Sequence, residues 1–208
     1  MDDSTEGNLS YCIGITGPSG AGKTTIATAF AESLLPRAVT RLAMDAYYCD
    51  LHHLSKVERE RVNFDDPGAI DIHLFLTHLR ALRRGMDVAV PRYDFSEHVR
   101  CDETDVLVAG AVLLVEGLHV GHWPELRAEL DLLVYVDLEL EQCLARRIQR
   151  DVAERGRDAR GVCEQYARWV RPMAERYVLP VKATAELVVR GDAALEAVVG
   201  EMMSRMEI

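Results

Sequence analysis

Between the β-rich run YCIGIT (residues 11 to 16) and the helical pattern TTIATAFAESLL stands GPSGAGKTT, residues 17 to 25. Nothing else in the chain restricts the fold as much. Gly17, Gly22, Lys23 and Thr24 satisfy G-x-x-x-x-G-K-[ST], and a strand before the pattern with a helix behind it is the setting in which it holds phosphate. Glycines let amide N–H groups close around an anion, and the helix N-terminus adds partial positive charge. Lys23 supplies a full charge, and Thr24 offers a hydroxyl to Mg²⁺. Pro18, Ser19, Gly20, Ala21 and Thr25 complete the predicted phosphate cradle. The loop leaves open where the terminal phosphoryl group of a bound nucleotide goes. Water would receive it in a switch or transport ATPase, and a small molecule in a phosphotransferase.

The remaining pattern alternates strands with helices. VTRLAM reads as a second strand closed by Asp45, and DIHLFLTHLRALRRG as a helix with an acidic start, a basic last turn and a terminal glycine. AVLLVEG and LDLLVYVDL are short, nearly continuous apolar runs, as expected of parallel strands covered on both faces. LEQCLARRIQRDVAERG and GVCEQYARWVRPMAERYVL read as helices, AELVVR as a last strand, and a final helix starts near Ala193. This order predicts an α/β fold, a P-loop NTPase-type parallel sheet flanked by helices. MDVAVPRYDF alternates but contains Pro91, which places it at an edge, in a small β-hairpin over about 87–102. Residues 1–10 read as a flexible arm and 11–208 as one domain.

With 24 basic and 34 acidic residues the net charge is -10, which argues against nucleic acid or an anionic membrane as the main partner. The longest apolar run, Val106 to Val115, is about half of a membrane-spanning helix. Five cysteines, an odd count without a C-x-x-C pair, suggest neither a disulfide framework nor a zinc site, and fit a reducing cytoplasm.

In an open α/β sheet, ligands sit beyond the carboxyl ends of the strands, so Glu116 and Asp45 face the phosphates. Glu116 suits Mg²⁺, directly or through water. At Asp45 two readings stand: a turn or cap residue, or a carboxylate that contacts the metal or accepts a hydroxyl proton. Tyr93 and Phe95, two apart on a strand, share a face, with His98 in the following turn. Alone they read as hairpin core. Between Arg146 and Arg160 lie six arginines and three acids, a local excess of +3. Arg147 and Arg150, one helical turn apart, can meet a common ligand, while Arg155 and Arg157 flank Gly156 in a predicted lid loop over about 150–160. Arg146 and Arg160 read as solvated helix-face residues.

GPSGAGKTT, MDAYYCDLHHLS, VNFDDPGAID, VPRYDFSEHVR, LLVEG, RRIQRDVAERGRD and QYARWVRPMAERYVLP together resemble, in order and spacing, the uridine kinase (uridine-cytidine kinase) members of the phosphoribulokinase/uridine kinase family. The resemblance runs from about Tyr11 to Arg190. It implies phosphoryl transfer from ATP or GTP to the 5′-hydroxyl of uridine or cytidine, with Asp45 as the base and Thr24 and Glu116 near Mg²⁺. Asp65 would bind the ribose, and Phe64, Tyr93, Phe95 and His98 the base. Arg147 and Gln165 would serve the nucleoside side; Arg150, Arg155 and Arg157 the donor. It also implies a homo-oligomer, tetramer or dimer. Departures from the family pattern occur at Ala46, Cys49, Asp66 and His119. Within the same resemblance, phosphoribulose, pantothenate or nicotinamide riboside are alternative acceptors.

Overall fold

The structure is a computed structural model describing residues 10–206, with the side chains of Glu154 and Arg155 outside the described set. The predicted phosphate contact of Arg155 therefore lies outside the described residues. Among the described residues, five parallel strands form one sheet in the order β2-β5-β1-β6-β7: Val39–Ala43, Val112–Glu116, Tyr11–Thr16, Leu132–Asp137 and Leu187–Arg190. The apolar runs become these strands because both faces of the sheet are covered. On β5 Val112 and Leu114 enter one core and Leu113 and Val115 the other, the period of two inherent in a strand. One core receives Ile26, Ala27 and Phe30 of α1 (Lys23–Ser33) with Val198 and Met202 of α8 (Leu195–Arg205). The other receives Phe75, Leu76, Leu79 and Leu82 of α3 (Ile72–Arg83). Asp71 caps α3 by accepting from the amide of Leu74 at 3.1 Å, which is why this helix starts where its acid predicts.

Short helices α2 (Lys56–Arg59) and α4 (Pro124–Arg127) lie in the connections. Helix α5 is Leu140–Arg155. After it, α6 (Ala159–Gln165) continues through π segments Tyr166–Val170 and Ala174–Val178 on either side of α7 (Arg171–Met173). Pro172, which has no amide hydrogen, sits between the two widened stretches.

Strands β3 (Val88–Asp94) and β4 (Val99–Leu107) pair antiparallel outside the main sheet. Pro91 is accommodated in this two-stranded element, opposite Thr104, and the register shifts between Pro91 and Tyr93. Arg100 of β4 fastens the hairpin to the body. Its Nε donates to the carbonyl of Tyr48 at 2.9 Å and its Nη2 to Asp71 Oδ2 at 3.1 Å.

Candidate active site

Register puts the chemistry at one edge. Ala43 and Ile15 both lie opposite Glu116, so β2, β1 and β5 end at the same level. The phosphate loop leaves β1, Asp45 leaves β2 in a 3₁₀ turn (Met44–Tyr47), and Glu116 ends β5. Strand order reverses about β1, the crevice where an open sheet takes ligands.

The loop needs its glycines for two separate reasons. Gly17 (φ 144°) and Gly20 (φ 91°) occupy left-handed backbone, and a Cβ on them would stand 2.4 Å from the carbonyl oxygen of Val136 and 2.5 Å from that of Cys143. No side chain caps α1, and its first turn carries no acid, so its amides and dipole remain for an anion. Lys23 Nζ donates to the carbonyls of Gly17 at 2.8 Å and Pro18 at 3.0 Å. Burial pulls its ammonium below the ordinary lysine range, against the opposing fields of Asp45 and Glu116.

A cleft of about 920 Å³ runs from this loop to the hairpin. The phosphate end is lined by Ser19, Gly20, Gly22, Lys23, Thr24 and Thr25. Gly17 and Pro18 lie behind it as acceptors for Lys23, and Ala21 is buried. Asp45 and Glu116 line its middle, and Phe64, Asp65, Tyr93, Phe95 and His98 its far end. Arg147, Arg150, Arg157 and Gln165 close one side. The structure thus brings together the side chains expected from the sequence, apart from the undescribed Arg155.

At the far end the rings form one cluster. Phe64 and His98 stack at 4.6 Å with 17° between planes, and Tyr93 and Phe95 meet edge-on at 5.3 Å. His98 sits in left-handed backbone (φ 56°) at the hairpin turn. Burial and the nearby Arg157 lower its pKa, so the ring is neutral at physiological pH. Tyr93 Oη is buried without a hydrogen-bond partner. Burial raises the pKa of this phenol, which therefore keeps its proton.

Tyr48 is a site residue that the sequence reading lacks. It packs at 5.3 Å from both Phe64 and Tyr93, and its phenol pKa is raised by burial and by the carboxylates of Asp45 and Asp65. Its neighbour Tyr47 faces the other way, fully buried, with Oη bonded to His78 at 2.8 Å. Arg41 is a second addition. Its Nη2 donates to Glu116 Oε1 at 2.6 Å and its Nη1 to Thr28 at 2.9 Å, which orients the strand-end carboxylate.

Arg146 differs from expectation in part. It stays exposed, as expected, but also donates to the carbonyl of Gly191 at 3.0 Å and, more weakly, to that of Ala21 at 3.4 Å. Helix α5 packs beside the phosphate loop, so this position meets main-chain acceptors that local sequence does not show. Arg160 behaves as expected, paired with Glu164 at 2.8 Å on an exposed face. The loop expected around Gly156 is narrower than the sequence suggests, since α5 runs to Arg155 before Gly156 ends it in left-handed backbone (φ 63°).

Arg147, Arg150 and Arg157 converge on a carboxylate without solvent exposure. Asp151 accepts from Arg150 at 2.8 and 2.9 Å and lies 3.6 Å from Arg147 and 3.5 Å from Arg157. Gln165 Oε1 accepts from Arg147 at 3.2 Å and Arg157 at 2.9 Å. Arg147 also approaches Asp65 at 3.9 Å, opposing the upward pKa shift that burial imposes on that carboxyl.

His119 is buried behind Asp65, and dehydration lowers its pKa to about 4 despite the carbonyl of Asp65, with His122, Asp66 and Lys23 the nearby charged groups. Because the unfolded chain binds this proton near the model-peptide value of 6.5 and the folded chain does not until pH 4, stability falls as pH falls through that window. Between pH 7 and 5, His119→Leu is expected to lose about 2 kcal/mol less stability than the parent protein in urea titrations, and parallel losses would contradict this assignment.

The chain matches the phosphoribulokinase / uridine kinase family over residues 12–194. It belongs to this family. A uridine kinase from Shewanella halifaxensis is 42% identical over 181 residues, 85% of each chain. One from Chloroflexus aurantiacus is 36% identical over 195 residues, 94% of this chain and 93% of that one. Phosphoribulokinase from Rhodobacter spheroides superposes with a TM-score of 0.67 at 15% identity, over 88% of this chain and 70% of that one, a likeness of fold. Among the described residues, no helix is long and apolar enough to cross a membrane.

Proposed function

We propose that this protein is a uridine/cytidine kinase, transferring the γ-phosphoryl group of ATP or GTP to the 5′-hydroxyl of a pyrimidine ribonucleoside. The observation that carries the reading is one cleft with a phosphate cradle at one end and an aromatic cluster at the other, with Asp45 between them and Asp65 beside the rings. A pyrimidine has a flat face and a polar edge. Phe64 and the neighbouring rings suit the face, and the neutral ring of His98 suits the edge. Asp65, buried beside Arg147, would grip the two vicinal ribose hydroxyls. At the opposite end Arg190, Gly191, Ala193 and Val198 form walls for the donor's base.

In the reaction Asp45 accepts the proton of the 5′-hydroxyl as that oxygen attacks the γ-phosphorus. Lys23, the loop amides and Arg150 and Arg157 receive the charge that moves onto the β–γ bridge. Thr24, Glu116 and Asp45 supply oxygen donors to one part of the cleft, a set that suits a hard cation sharing its shell with phosphates. Mg²⁺ held there would neutralise phosphate charge and align the triphosphate. The protein would act in the cytoplasm, as a homo-oligomer by its resemblance to the family.

Purified protein with Mg-ATP and an acceptor panel of uridine, cytidine, phosphoribulose, pantothenate and nicotinamide riboside tests this. Uridine or cytidine should give the highest kcat/KM, and a preference for any other acceptor would overturn the reading. Asp65→Ala is expected to raise the nucleoside KM about 10- to 100-fold while the ATP KM stays within about twofold, since only the sugar loses its partner. Equal rises in both would show that Asp65 does not discriminate between the two ligands.

A further inference from the structure

His119 stands three residues beyond Glu116, where the strand end turns toward α4. The residue is 2% exposed, and Nε2 lies 2.9 Å from the carbonyl oxygen of Asp65. A carbonyl only accepts, so Nε2 carries the proton and Nδ1 holds a lone pair. That Nδ1 is buried with no partner. An aliphatic side chain at this position would leave no such orphan. The other half of the tether is also fixed, because Thr16, at the end of β1, donates to the carbonyl of Leu118 at 3.0 Å. A hydrogen-bonded path therefore joins the strand that opens into the phosphate loop, the turn behind Glu116 and the main chain of the Phe64–Asp65 segment.

We propose that His119 is a positioning residue for the acceptor, its imidazole N–H holding the Asp65 main chain in register with the strand ends that carry the phosphate loop and Glu116. This rests on the nucleoside kinase reading for what Asp65 binds. The tether itself does not depend on that reading. The segment it holds is short and self-bonded, with the amides of Asp66, Ala69 and Ile70 donating to the carbonyls of Asn63, Asp66 and Pro67 at 3.0–3.2 Å. Its far end is tied to the Asp45 turn by the amides of Cys49 and Asp71, which donate to the carbonyls of Ala69 and Tyr47 at 2.8 Å, and the His119 bond is the anchor at Asp65 itself. The competing explanation is that the ring only fills space against His122, Trp123 and Tyr177, at centroid distances of 6.1 to 6.2 Å. Space filling predicts that leucine serves at least as well, since it removes the orphan nitrogen.

The test compares His119→Leu, His119→Gln and His119→Asn in the full chain. Glutamine can place an amide N–H near the position of Nε2, whereas asparagine is too short to reach Asp65. Leucine and asparagine should raise the nucleoside KM about five- to twentyfold with kcat and the ATP KM changed by less than about threefold, and glutamine should restore the KM to within about threefold of the parent. Amide hydrogen exchange without ligand should show Asp66, Ala69 and Ile70 exchanging at least about fivefold faster in the leucine and asparagine variants, with glutamine protected. Unchanged KM and unchanged exchange would overturn the proposal. Should leucine fail to fold, the glutamine and asparagine pair decides. If the parent protein phosphorylates no pyrimidine nucleoside, the functional reading fails and the exchange data alone decide whether His119 holds the segment.

Discussion

Asp45→Asn is expected to lower kcat by roughly 100- to 10,000-fold while changing the KM of either substrate by less than about fivefold. Asparagine has nearly the same shape and retains an oxygen, so the 3₁₀ turn from Met44 to Tyr47 and the packing of buried Met44 and Tyr47 should survive. What it loses is the capacity to take a proton as the acceptor oxygen bonds to phosphorus. Asp45 also lies close enough to Lys23 and Tyr48 to act on the pKa of each, placing its charge between the phosphate cradle and the aromatic end. Measured kcat with saturating uridine and Mg-ATP checks the point. Loss confined to a KM would make Asp45 a binding residue instead.

Asp151→Ala should destabilise the protein by about 3–5 kcal/mol, because removing one member of a buried ionic group leaves the other charge uncompensated. The carboxylate has no solvent exposure, and the Arg147 side chain beside it is 7% exposed. Arg150 and Arg157 are more exposed and can turn to water, so the cost falls chiefly on Arg147. Urea unfolding provides the measurement. Replacing both Arg147 and Asp151 by apolar residues of similar volume is expected to recover much of the loss while leaving activity low. A loss below about 1 kcal/mol in Asp151→Ala would mean that the arginines do not depend on this hub.

The parallel strands were legible because burial on both faces leaves continuous apolar runs, as in VLLVE and LLVYV. Pro91 identified its strand as peripheral for the equally local reason that it lacks an amide donor. Glu116 and Asp45 were readable as cleft residues because they are the first acids after apolar strands. Tyr48 was not, since in the dipeptide Tyr47-Tyr48 nothing local says which ring enters the core and which the cleft. Arg146 was hidden because its acceptors, the carbonyls of Ala21 and Gly191, are brought to it only when α5 packs beside the phosphate loop. Arg147 and Arg150 meet Asp151 within α5, at four residues and one residue apart, but Arg157 reaches it only because the chain reverses at Gly156. The donor-base walls after β7 likewise need the sheet to be assembled. His119 was visible as a departure from the family pattern, but its bond to Asp65 spans 54 residues.

The kinase reading requires that the cleft seat a nucleoside hydroxyl, not water, against the terminal phosphorus. It is tested most directly by quantifying all products of one reaction with Mg-ATP and uridine. Transfer to the nucleoside gives one uridine 5′-monophosphate for every ADP, with little inorganic phosphate. ADP and inorganic phosphate accumulating together without a nucleoside monophosphate would contradict it.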